Sequence, residues 1–239
     1  MTKGSAFRFG ALVSAPMILG GVPFGIIFGS LVATSGYSVW LAVALSAIVF
    51  AGSSQFIAIG LIAAGTPAWV IVSTTFIVNL RHFLYAADLL KYVRHLPVGW
   101  RAVLAFGLTD ETYAAVRPYY ANGRLNEQTG HWAYLGSMVT MYSMWNVTTL
   151  LGYFVGSQMP NLSTWGLEFA MVATFIGIIT PYLKTLPYWS ALISASVTAL
   201  LLVRLPNNLG LLIAALVGVS MGMLTEYLQR QQQQLPSKG

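Results

Sequence analysis

Long apolar runs separated by short charged stretches fill this chain almost end to end, and they limit its fold more than any motif does. Only 8% of the 239 residues are charged and 56% are hydrophobic, whereas soluble domains carry about 25% charged residues. A water-soluble globule is therefore excluded, and an integral membrane protein is expected. A span needs about 20 apolar residues. The apolar runs fall at about 9–33, 38–64, 68–90, 132–157, 165–182, 187–203 and 207–227, with a further ambiguous one at 97–117. The expected fold is thus all-α: a polytopic membrane helix bundle of seven or eight spans. Residues 1–228 form its single transmembrane domain, and the Gln-rich stretch 229–239 is a solvated polar tail.

The chain has twelve Lys and Arg against six Asp and Glu. The basic residues are thinly spread between the apolar runs, as loop charges that set orientation are, and do not read as a nucleic-acid surface. The side holding the C-terminus carries more of them whichever way residues 97–117 are read, which places that end in the cytoplasm. Cysteine is absent, so disulfides, thiol nucleophiles and thiolate metal sites are excluded. Lys3 and Arg8 precede the first apolar run. Hydrophobicity continues past residue 30 with no short core and cleavage site, so this run reads as a first span rather than a signal peptide.

Inside the spans, two small polar clusters stand out. The first is Phe50-Ala-Gly-Ser-Ser-Gln-Phe56 and the second is Asn79-Leu-Arg-His82 with Tyr85. An Arg at membrane depth costs roughly 2.5–3.5 kcal/mol on insertion scales. Arg81 precedes Lys91 by ten residues, roughly 15 Å along a helix, which is far to snorkel. Gly52, Ser53, Ser54 and Gln55 read as a broken-helix site whose freed backbone groups hold a small polar ligand, or as a small-residue helix contact. Arg81 reads as a carboxylate-binding guanidinium, a modifier of a neighbouring acid, or half of a structural ion pair; Arg81, Tyr85 and Asp88 share a helix face. Asp110 and Glu111 point about 100° apart on a helix, so at most one meets Arg81 and the other is free to carry a proton, or both are solvated helix-end charges in a cytoplasmic loop. His82, the only histidine within an apolar run, reads first as a satisfied core histidine and second as a proton relay. Trp145 and Asn146 are candidates for the same cavity, although an Asn in a span usually bonds just a neighbouring helix. In the first span, Gly21, Gly25 and Gly29 repeat every four residues and offer close helix approach, while Pro23 is expected to kink or interrupt the helix.

Residues 97–117 read either as a full span with two carboxylates near its middle or as a re-entrant or surface helix. An internal repeat is also expected. Gly25-x-x-x-Gly29-Ser30, Trp40, Phe50-x-Gly52 and Pro67-x-Trp69 return in order as Gly152-x-x-x-Gly156-Ser157, Trp165, Phe175-x-Gly177 and Pro187-x-Trp189. The copies cover about 9–90 and 132–227, joined by 91–131, with broken helices near the midplane. Transporters built from such repeats place the site between them. No P-loop, His-Glu-x-x-His or Gly-x-Ser-x-Gly pattern occurs, so neither an enzyme nor a bound cofactor is indicated.

Phe50–Phe56, Val78-Asn-Leu-Arg-His82 with Leu84-Tyr85, Leu108-Thr-Asp-Glu-Thr112 and Pro23-x-Gly25-x-x-x-Gly29 resemble the signature stretches of the AzlC-type branched-chain amino acid permeases, over nearly the whole chain. The resemblance implies a multi-pass plasma (inner) membrane exporter of leucine, isoleucine, valine and similar neutral aliphatic amino acids, driven by the proton gradient. It also implies a small AzlD-type membrane subunit as partner. The alternatives are a channel or facilitator for a small neutral solute, indifferent to a pH gradient, and a membrane-embedded enzyme or assembly subunit.

Overall fold

The computed structural model describes residues 1–158, 176, 180, 183–205 and 209–234. The described part of the expected sixth span (165–182) is only Ile176 and Thr180, so Trp165, Phe175 and Gly177 of the expected second repeat lie outside the described residues, as do 235–239. Every regular element among the described residues is helical. In order they are α1 (Lys3–Val13), α2 (Ala15–Thr34), α3 (Val39–Ala44) running into a π-helical turn (Leu45–Val49), α4 (Gly52–Ala63), α5 (Ala68–Asn79), α6 (Arg81–Val93), α7 (Val98–Phe106), α8 (Asp110–Ala121), α9 (Gly130–Gln158), α10 (Leu186–Leu201) and α11 (Leu209–Gln234). Helices are what a bilayer permits, since they satisfy their own backbone hydrogen bonds where no water can. Among the described residues, three stretches are long and apolar enough to cross a membrane: Ala15–Thr34, Ala68–Val93 and Leu209–Gln232. Large apolar side chains such as Leu19, Val72, Phe76, Leu84 and Leu200 are exposed, which suits a surface facing lipid rather than water.

The chain divides into two compact units, Met1–Phe56 with Val78–Glu168, and Ile57–Ile77 with Phe169–Gly239. The first is built on α2 lying along α9. Gly21 sits against Met144, Gly25 against Thr148 and Gly156 against Ser30, so the two helices run in the same direction. Glycine is needed on both sides of this seam. A methyl on Gly29 would fall 1.9 Å from the carbonyl oxygen of Thr149, and one on Gly152 would fall 2.1 Å from that of Ile26. Without a hydrophobic drive between helices in lipid, such backbone proximity supplies the packing energy. Ser30 seals the seam by donating to the Gly152 carbonyl at 2.8 Å. α1 continues along the same helix, with Gly10 against Ala133 and the Ser14 and Ser137 hydroxyls bonded at 2.6 Å.

Several expectations change here. α2 runs unbroken through Pro23, Gly25 and Gly29, contrary to the interruption expected at Pro23. Proline forfeits one backbone bond, but a full break in lipid would strand several, so the helix continues. The first span is divided earlier, at Ser14, where α1 ends and α2 begins with Pro16 in its first turn. The second span is divided at Phe50–Ala51, just ahead of the expected Gly52–Gln55 cluster. Residues 97–117 are not one continuous helix but parts of two short ones, α7 and α8, separated at Gly107–Thr109. Within the expected polar tail, the helix α11 continues as far as Gln234.

In the second unit α10 and α11 pair as an antiparallel hairpin. Gly218 and Gly222 face Ala195 and Ala191, and the Thr225 hydroxyl donates to Ser190 Oγ at 2.9 Å.

The glycine seam predicts a contrast within one helix. Gly29→Ala should destabilise the protein by about 1–3 kcal/mol, the usual cost of overpacking. Gly20→Ala, with open space around it, should be neutral or slightly stabilising. Thermal unfolding in detergent micelles, measured by tryptophan fluorescence, distinguishes the two.

Candidate functional site

Three breaks between helices supply the site. The first comes after the π-helical turn, where Phe50 N–H bonds to the Leu45 carbonyl at 3.2 Å. Phe50 then takes a left-handed conformation, φ 42° and ψ 44°, which is strained for a bulky side chain and is a feature that clusters at ligand sites. This reversal starts α4 at Gly52 and turns Ser53, Ser54 and Gln55 inward, all buried. The second break is Leu80, between Asn79 at the end of α5 and Arg81 at the start of α6. The third is Gly107–Thr109, where the Thr109 hydroxyl accepts from Thr112 N–H and caps α8, leaving Asp110 and Glu111 in its first turn. The break at Ser14 lies on the α1–α2 axis and contributes no side chain to the site.

Two layers of side chains meet. In the deeper layer Gln55 is fully buried. Its Nε2 donates to Ser46 Oγ at 3.0 Å, its Oε1 accepts from Trp145 Nε1 at 3.0 Å, and Ser46 and Thr149 share a bond of 2.9 Å. Phe24, Phe28 and Phe56 wall this layer, the Phe24 and Phe56 rings lying 4.6 Å apart and Phe28 stacking on Trp145 at 6.3 Å. In the second layer Arg81 Nη2 donates to Ser53 Oγ at 2.6 Å and to Asp110 Oδ2 at 2.9 Å, while Ser54 Oγ donates to Asn79 Oδ1 at 2.5 Å. Arg81 Nε and Asp110 Oδ1 are buried yet have no hydrogen-bond partner. A strong donor and a strong acceptor are thus left open side by side, in a place where an unmade bond is costly. Beside Trp145 of the deeper layer lies a cavity of about 30 Å³ lined by Gly21, Phe50, Gly52, Thr109, Glu111, Met141, Met144 and Trp145. A water needs roughly 10–15 Å³, so the space is water-sized.

The structure brings Gly52, Ser53, Ser54, Gln55, Asn79, Arg81, Asp110, Glu111 and Trp145 together. Asn146 stays out, since its amide donates to the Tyr142 carbonyl of its own helix at 2.9 Å. His82 has its ring 6.0 Å from that of Tyr85, on the flank of the site rather than in it. Thr109 falls within the Leu108–Thr112 signature stretch, whereas Ser46 and Thr149 were invisible in the sequence: single small polar residues in apolar runs give no signal until a partner is known.

A series linking α6 to α8 goes beyond the Arg81–acid contact and the shared Arg81, Tyr85 and Asp88 face that the sequence suggests. Arg81 pairs with Asp110, the Tyr85 and Tyr113 rings stack at 4.5 Å, Asp88 pairs with Arg117 at 2.9 Å, and the Tyr92 and Tyr120 rings stack at 4.8 Å. These rungs are spaced 4, 3 and 4 residues along α6 and 3, 4 and 3 along α8, so the helices run in the same direction with ion pairs and stacked tyrosines alternating. The polarity of the ion pairs reverses from the first to the third rung, which specifies register. Tyr113 also donates to Asp88 Oδ2 at 2.9 Å, and Lys91 bonds its Oδ1 at 3.1 Å. Asp88 therefore does not reach Arg81, although the two share a face. Among the described residues no three His, Asp or Glu side chains gather as a metal site requires.

Apolar helices with a charged, amide-lined centre at their breaks define a membrane-embedded helical protein with a polar site between its helices. The chain belongs to the AzlC family, whose description "AzlC protein" matches residues 16–159. It is 29% identical to the inner membrane protein YgaZ of Escherichia coli K12 over 238 residues, 95% of this chain and 92% of that one. It is 34% identical to an uncharacterized membrane protein of Helicobacter pylori J99 over 67% of this chain and 68% of that one. It is also 27% identical to the branched-chain amino acid transport protein AzlC of Bacillus subtilis 168, over 92% and 85% of the two chains. No solved structure matches it.

Two outcomes test this geometry. Trp145→Phe should cost about 1–3 kcal/mol by stranding the buried Gln55 carbonyl oxygen, and adding Gln55→Met should recover part of that loss in a double-mutant cycle of thermal unfolding. Asp88→Arg and Arg117→Asp should each lower the unfolding temperature, and the double reversal should restore part of it.

Proposed function

We propose that this chain is a secondary transporter that exports branched-chain or related neutral aliphatic amino acids across the plasma (inner) membrane with a proton as the coupling ion. Kinship with the Bacillus subtilis branched-chain amino acid transport protein supports the substrate class. The observation that carries the mechanism is the open pair of atoms, Arg81 Nε and Asp110 Oδ1, beside an ion pair held through Nη2 and Oδ2.

A zwitterion offers what both atoms lack. Its carboxylate accepts from the Arg81 guanidinium, which binds carboxylates by its fork of donors. The Gly52–Gln55 helix start, with Asn79 and Trp145, holds the remaining polar atoms. The aliphatic side chain lies against Phe50, Met141 and Met144. Substrate carboxylate and Asp110 then contend for one guanidinium. A proton taken by Asp110 settles that contest for the substrate, which ties binding to protonation. Glu111, at the cavity wall, and His82, on the flank, pass the proton on.

The water-sized cavity is far below the roughly 300 Å³ at which small-molecule sites begin, so this conformation is read as closed between loading events. The two halves, 9–90 and 132–227, are read as related copies. The common direction of α2 and α9, which carry matching glycine patterns, supports copies related by an axis along the membrane normal. A small AzlD-type membrane subunit is the proposed partner, and the C-terminus is assigned to the cytoplasm.

Vesicles loaded with labelled leucine, valine, methionine or glutamate test the reading, with and without a proton gradient and a co-expressed small subunit. The neutral aliphatic substrates should leave faster with the gradient. Arg81→Ala and Asp110→Asn should each lower leucine efflux at least tenfold at normal expression, and the residual efflux of Asp110→Asn should ignore the gradient. Unchanged leucine efflux in both variants would overturn the assignment. Efflux by the unaltered protein that ignores the gradient would favour a facilitator.

A further inference from the structure

We propose that the face of α6 and α7 carries a binding site for one anionic phospholipid, separate from the central site. Ala86, Leu89, Leu90 and Val93 of α6 and Val98, Ala102 and Ala105 of α7 border a groove of about 370 Å³, with Leu104, Leu108 and Tyr134 at its floor. The volume lies within the range of built small-molecule sites. Its lining is apolar but for one cation, Arg101. The phenol of Tyr134 is already spent, donating to the Leu104 carbonyl at 3.0 Å, so the floor offers nothing to a polar ligand.

Charge decides the occupant. Arg101 is exposed at the rim, and Arg94, exposed one residue beyond the groove-lining Val93, caps the end of α6. Among the described residues neither guanidinium has a hydrogen-bond or ion-pair partner. Of the acids nearby, Asp88 is held by Arg117, Lys91 and Tyr113, and Glu127, whose carbonyl oxygen lies 2.9 Å from His95 Nε2, forms an ion pair with neither arginine among the described residues. Trp100, beside Arg101, packs edge-on to Trp132 at 5.1 Å, and Lys3 lies over the Trp132 ring at 5.7 Å. Tryptophan and basic residues collect at the headgroup level of a bilayer. An apolar trough topped by two unpaired guanidiniums at that level matches one acyl chain with a phosphate above it, and basic pockets between membrane helices are known to take such headgroups.

Native mass spectrometry of the full-length protein, purified in mild detergent with equal phosphatidylglycerol and phosphatidylcholine, tests this. One phosphatidylglycerol should remain bound and phosphatidylcholine should not. Arg94→Gln with Arg101→Gln, and separately Ala105→Trp to fill the trough, should each lower the retained lipid at least fivefold while the unfolding temperature stays near that of the unaltered protein. Glycerol 3-phosphate in excess should not displace it, because the acyl chain is part of the site. Equal retention of both lipids, full retention by both variants, displacement by glycerol 3-phosphate, or a second copy of the chain bound in the lipid's place would each overturn the proposal.

Discussion

A guanidinium held within apolar helices needs a counter-ion, and the first unit is arranged to supply one. Arg81 sits at the break between α5 and α6, and Asp110 is delivered to it by the start of α8. A lone charge at such depth costs several kcal/mol, and a paired one still costs something unless its remaining donors and acceptors are met. This pair meets them only in part: Ser53 takes one donor, while Arg81 Nε and Asp110 Oδ1 stay open. An arrangement optimised for stability alone would have closed both. The incompleteness is what allows a ligand with complementary charges to compete with the pair.

Everything around the pair fixes its position. The glycine seam brings α9 within backbone reach of α2, which places Trp145 and Thr149 against the π-helical turn and Gln55. That contact holds the strained Phe50 reversal and so aims the start of α4 at Arg81. From the other side, the alternating rungs between α6 and α8 set the register that puts residue 81 opposite residue 110. A shift of one helical turn on either helix would bring Arg117 or Asp88 against the wrong partner. The site is therefore fixed by two long-range seams, one dry and one charged, rather than by its own few bonds.

Much of this was legible in the chain itself. The class came from the scarcity of charge, and the polar clusters at 52–55 and 79–82 stood out because lipid makes them costly. Pairing Arg81 with one of two adjacent acids came from helix geometry. The features that sequence left hidden depended on partners distant in the chain. Ser46 and Thr149 lie 103 residues apart, and each alone is an ordinary small residue in an apolar run. The π-helical turn has no compositional mark. Pro23 misled because a proline rule drawn from water overstates breakage where a break leaves backbone groups without solvent. The α6–α8 rungs were available as two matched patterns, but only Arg81, Tyr85 and Asp88 were seen to share a face. Their reading needed α8 to be recognised as a separate helix.

The competition for Arg81 is the central claim, and proton uptake during binding tests it most directly. Purified protein in a weakly buffered solution, titrated with leucine, should take up a proton with each leucine bound, and Asp110→Asn should abolish the uptake while some leucine binding persists. Leucine binding with no proton taken up by the unaltered protein, or uptake that survives in Asp110→Asn, would contradict it.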